Sequence, residues 1–160
     1  MLVLLLPFQV SSLTTSQVGM DINAELLPMI DIYYDNQNIT GASVDLQLNI
    51  DSASLKFKNT SKTLFLVGNV VQADIIFEEH TFILNNNLDD SASMQLSGSF
   101  IFNGAVSDAA VTLRVPVIKD LSKATVNDGF KVSFSSLNNA TTYRAGDYSG
   151  QFTLVVVPVT

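Results

Sequence analysis

At 160 residues, with 47% hydrophobic and 14% charged side chains, the chain suits one folded domain with a sizeable core, not a disordered segment. Its net charge of −7 argues against nucleic acid and against anionic lipid as partners, since both need a basic face. With no cysteine, there is no disulfide framework, thiolate nucleophile or thiolate metal site.

Residues 2–8, LVLLLPF, form an apolar run far shorter than the roughly 20 residues a transmembrane helix needs. A small polar stretch with Ser11, Ser12, Thr14, Thr15 and Ser16 follows. Together, residues 1–16 read as a signal peptide cleaved near Ser16. No Lys or Arg precedes Lys56, so the basic start of such a peptide is missing, which points to a truncated gene model or a late start codon. The competing reading is a buried apolar strand.

Next comes an unbroken alternation. Val18, Met20, Ile22, Ala24 and Leu26 are apolar, and Gly19, Asp21, Asn23 and Glu25 between them are small or polar. Period two predicts a strand with one buried and one wet face. A segment this near a terminus is ordered only when tied into a sheet, so it closes its own sheet or enters another molecule's.

Alternation recurs in Val44, Leu46, Leu48 and Ile50, in Leu55 and Phe57, and in Met94, Leu96, Phe100 and Phe102 with Gly98 in phase. It returns in Val111, Leu113, Val115 and Val117, then in Phe130, Val132 and Phe134. The closing run 152–157 is apolar at nearly every position, as in a strand buried on both sides. Turn signals such as Asp35-Asn36, Asn85-Asn86-Asn87, Asn103-Gly104 and Asn127-Asp128-Gly129 separate these runs. Short strands with such turns predict an all-β antiparallel sandwich, with at most one helical turn at Leu121 to Ala124.

Catalytic chemistry is sparse. His80 is the one histidine, and no nucleophile elbow lies near it. Glu78-Glu79-His80 converge poorly on a metal, because adjacent strand residues face opposite ways. Asp89-Asp90 lacks the glycine and terminal glutamate of a calcium loop and reads as a solvated turn. Asn38, Asn59 and Asn139 begin glycosylation sequons, which matter only in a eukaryotic secretory pathway. Tyr33-Tyr34 reads as one core and one surface residue. The expectation is no enzyme, no metal site and no cofactor.

The two ends together carry a resemblance. Pro28, Ile30, Asp31 and Ile32 follow the alternating segment, and the chain closes with Ala145, Gly146, Tyr148, Ser149, Gly150, Leu154 and Val155. This opening and closing resemble the pilin subunits of chaperone–usher fimbriae, above all the colonisation-factor-antigen (alpha-class) group, over about a third of the chain. The lack of cysteine fits that group. A slightly shorter extension without basic residues sets the chain apart from its major subunits.

The resemblance implies an incomplete immunoglobulin-like antiparallel β-sandwich with an N-terminal donor-strand extension. Residues 17–27 would be the extension and 28–160 the pilin domain. The donor residues Val18, Met20, Ile22, Ala24 and Leu26 would fill a groove in the next subunit, replacing a chaperone strand, by β-augmentation. A one-residue slip would turn Asp21, Asn23 and Glu25 into that groove. Four large side chains would contribute on the order of 6–12 kcal/mol of burial before ordering costs. Head-to-tail contacts of this kind do not close, and so build a filament. Phe152, Leu154 and Val156 are the acceptor-groove candidates, with Val155 and Val157 the alternate phase, and the 44–50 strand is expected to be remote from this closing strand. The implied partners are neighbouring pilin subunits, a periplasmic chaperone and an outer-membrane usher, and the implied location is the fimbrium on the cell surface. The competing reading is a self-complete secreted β-sandwich module that binds a carbohydrate or protein and pairs 18–26 within its own chain.

Overall fold

The computed structural model describes residues 20–159; the expected signal peptide and Val18 lie outside the described residues. From Ile30 onward many of the alternating runs become strand. The strands are β1 (Ile30–Tyr34), β2 (Gln37–Asn38), β3 (Asn49–Ile50), β4 (Phe57–Thr60), β5 (Leu64–Gly68), β6 (Gln72–Phe77) and β7 (Phe82–Asn86). They continue as β8 (Ser93–Phe102), β9 (Ala105–Asp108), β10 (Leu113–Pro116), β11 (Phe130–Ser136), β12 (Tyr148–Ser149) and β13 (Leu154–Val159). Every pairing between these strands is antiparallel.

Two sheets result. The larger runs β12-β7-β8-β11-β5-β1-β2, with β4 on β11, β3 on β4 and β9 on β8; the smaller has three strands, β10-β6-β13. The fold is therefore the expected all-β antiparallel sandwich. Phenylalanine rings fill the space between the sheets. Phe77 of β6 stacks on Phe100 of β8 at 5.6 Å, and Phe82 and Phe134 meet edge to face at 5.1 Å. Gly98 makes this packing possible. A Cβ there would lie 2.6 Å from the Phe82 ring and 3.0 Å from Phe134, so the rings rest on bare backbone.

Local chemistry sets the turns. Asp35 and Asn36 between β1 and β2, and Asn103 and Gly104 between β8 and β9, all have positive φ, as two-residue hairpins require. Asp120 accepts the Ser122 N–H at 2.9 Å and starts a 3-10 turn at Leu121–Lys123, where a helical turn is expected.

Three expectations need correction. Of the run 44–50, only Asn49–Ile50 forms a ladder, pairing with β4; residues 42–48 join none. Alternation supplies an apolar face but not a neighbouring edge, and here the Asn59 side chain reaches the Gln47 carbonyl at 2.6 Å instead. Leu55 is exposed at positive φ in a turn closed by its N–H to the Asp51 carbonyl, so its strand begins at Phe57. The closing run is not buried on both sides: Leu154 and Val156 pack on the core, while Val157 is 49% exposed on the outer face of the small sheet.

Candidate functional site

Residues 20–29 join no strand among the described residues. Met20 is 81% exposed, Ile22 87% and Leu26 77%, and Ala24 is exposed as well. Asp21, Asn23 and Glu25 are equally open, so neither face of the alternation is used by the chain's own body. The body takes hold at Leu27, whose carbonyl accepts the Asn69 Nδ2 hydrogen at 2.8 Å.

Between the sheets lies an open groove of about 790 Å³. Leu64, Leu84, Leu96, Val132 and Phe134 of the larger sheet form its floor, together with Phe77 of β6. One wall is 148–154, where the chain leaves β12 and crosses to β13. The other is Ile32, Tyr34, Ile39 and the unladdered segment with Val44, Leu46 and Leu48. β13 pairs with β6 along one edge, and its other edge meets no strand among the described residues.

Phe152 and Leu154 line this groove, with the Phe152 ring 5.1 Å from Phe82 and 5.4 Å from Phe134. Val156 packs on the same core but lies outside the groove walls. Val155 and Val157 alternate with this inward set. The 44–50 run, expected to be remote from the closing strand, contributes Val44, Leu46 and Leu48 to the wall opposite it. Their alternation was a visible signal of an apolar face, but nothing in it named the strand across the gap.

Charge is nearly absent from the groove. Among the described residues, Asp45 is the only acidic or basic side chain on its walls. An apolar floor between walls that also carry Ser43, Ser149, Gln151 and Thr153, with a row of unpaired backbone groups at its side, suits an extended segment that brings alternate apolar side chains and backbone hydrogen bonds.

The charged groups singled out from sequence have local work. Glu79 Oε2 accepts the Thr153 N–H at 2.8 Å, so it supports the crossing into β13. Asp89 Oδ1 accepts from both the Ser91 N–H and its hydroxyl, which chiefly hold its carboxyl below the ordinary range, and Oδ2 pairs with Arg144, which lowers it further. On the outer face of the small sheet, Arg114 holds Asp74 by two bonds of 2.8 and 2.9 Å, and the guanidinium lowers that carboxyl also. A smaller cleft of about 310 Å³ is lined by Ile50, Phe57, Tyr143, Arg144 and Tyr148. Its rings are tilted by 58° and 67° to one another and form no common flat platform.

No protein-family model matches the chain, and no curated protein matches it. A solved structure reported as a chaperone–tip adhesin complex vital for activation of CFA/I fimbriae biogenesis is similar to it, with a TM-score of 0.53 and 18% identity. The likeness covers 82% of this chain but 43% of that one, so this chain spans less than half the length of its structural relative. At that identity the likeness is one of fold: the chain shares its β-sandwich with a component of a fimbrial chaperone–adhesin complex.

Proposed function

We propose that this chain is a structural subunit of a bacterial fimbrium that polymerises by donor-strand complementation and supports adhesion. One observation carries the reading. The chain has an apolar groove beside an unpaired strand edge, and an alternating segment that its own body leaves exposed. The groove needs a strand, and the segment needs a groove. In the polymer, residues 17–27 of one copy lie along β13 of the next, with Met20, Ile22, Ala24 and Leu26 pointing inward. Backbone hydrogen bonds then complete the small sheet, and the sandwich becomes a full immunoglobulin-like fold. Before assembly a periplasmic chaperone strand fills the same place, and an outer-membrane usher carries the subunit to the cell surface. The fold likeness to a fimbrial chaperone–adhesin complex supports this reading. A self-complete binding module needs the N-terminal segment in its own sheet, and its described part, from Met20 onward, pairs with no strand.

The test is a pair of substitutions at adjacent residues, one on each face of the donor. Ile22 is 87% exposed, so Ile22→Asp leaves the subunit body intact. In a neighbour's groove it buries an unpartnered carboxylate, which costs several kcal/mol. Asn23→Asp lies on the wet face. Size exclusion and electron microscopy should show polymer for the wild type and for Asn23→Asp, and none for Ile22→Asp. Equal assembly of the two variants would sink the proposal.

A further inference from the structure

Where the N-terminal segment leaves the body, one side chain holds it. Asn69 lies in the turn between β5 and β6. Its Nδ2 donates to the Leu27 carbonyl at 2.8 Å, and its Oδ1 accepts the Met29 N–H at 2.7 Å. Its own N–H donates to the Met29 carbonyl at 3.1 Å. These bonds straddle Pro28, which has no N–H to offer and whose ring confines φ. Gly68 completes the seat, because a Cβ there would overlap the Met29 carbonyl oxygen. Side-chain burial adds little: Leu27 is 67% and Met29 65% exposed. The elbow is therefore set by three hydrogen bonds to one residue, two of them made by its side-chain amide.

We infer that Asn69 is a positioning residue that fixes the direction in which the N-terminal segment leaves the body. On the donor-strand reading, it thereby sets the angle between successive subunits of the fibre. The clamp itself is a property of the single chain and does not depend on assembly. Loss of the amide leaves the groove and the donor side chains unchanged, so subunits still join, but at a loose angle.

The full chain has no native thiols, so spin labels can be placed at Glu25→Cys, just outside the elbow, and Lys131→Cys, on the exposed face of β11. Labelled chain diluted into unlabelled chain gives the intramolecular distance distribution. It should be narrow with Asn69 present and broad in Asn69→Ala. Hydrogen exchange provides a second readout. The Met29 amide should lose roughly tenfold of its protection in Asn69→Ala, the loss expected when a hydrogen-bond acceptor is removed. Asn69→Asp keeps that acceptor, so Met29 protection should persist while the Leu27 contact goes and the distances broaden in part. Amides of β8 and β11 should not change in either variant, which separates a clamp from general destabilisation. Equal distance widths in wild type and Asn69→Ala would overturn the inference. If the widths differ as expected but the chain never polymerises, the clamp stands and the fibre reading falls.

Discussion

Gly98 illustrates how much a single position carries. It is in phase with Met94, Leu96 and Phe100, and only its lack of a side chain admits the rings of Phe82 and Phe134. Those rings are buried, so they have little room to yield. Gly98→Ala should destabilise the fold by about 1–3 kcal/mol, the usual cost of overpacking. Urea unfolding checks this, and a midpoint equal to wild type would show that the rings can shift without cost. Because Phe134 is also part of the groove floor, the same substitution should weaken uptake of a strand there.

At the scale of elements, β13 decides the geometry of the proposed site. Phe152 and Leu154 face the groove, and Val157 faces out. Disulfide trapping reads this phase directly, since two cysteines must bring their Cα atoms within about 4.4–6.8 Å. Ile22→Cys in one subunit should form linked dimers with Leu154→Cys in another, and not with Val157→Cys. Equal trapping at both sites would mean that the donor does not lie along β13 in one register. Val44, Leu46 and Leu48 stand on the opposite wall without a ladder of their own. An incoming strand would give that segment the neighbouring edge it lacks.

For the whole molecule, acid is the sensitive direction. The Asp74 carboxyl is held below the ordinary carboxylate range chiefly by its hydrogen bonds to Arg114, and that of Asp51 by those to Ser54. Ser91 and then Arg144 lower Asp89, Ser122 lowers Asp120, and Thr125 lowers Asp128. In each case the unfolded chain binds its proton at a higher pH than the folded one. Their contribution is therefore complete above the ordinary carboxylate range and drains as pH falls below about 4. Each group is solvated, so each effect is small, and the loss is the sum of several. The melting temperature should stay level from about pH 7 to pH 5 and fall below about pH 4. A melting temperature still level under the carboxylate range would show that these contacts do not stabilise the fold.

The strand-rich sandwich was legible in the sequence because period two records which side of a backbone is wet. The in-phase sets of β8 and β11, the Asn-Gly hairpin and the Asp120 turn all follow from side chains acting within a few residues of themselves. Alternation does not choose between Phe152, Leu154 and Val156 and the alternate set of the closing run; only the Tyr148-Ser149-Gly150 turn and the longer side chains favour the first. What alternation does not encode is partnership. Ladder bonds are made by backbone groups that every residue shares, so nothing in 44–50 tells that its first five residues find no partner while its last two do. For the same reason the free edge of β13, the opposite wall of the groove and the hold of Asn69 on Leu27, 42 residues away, emerged only from the tertiary structure. Side chains chose the faces locally, and the non-local packing of the two sheets decided which edge was left open.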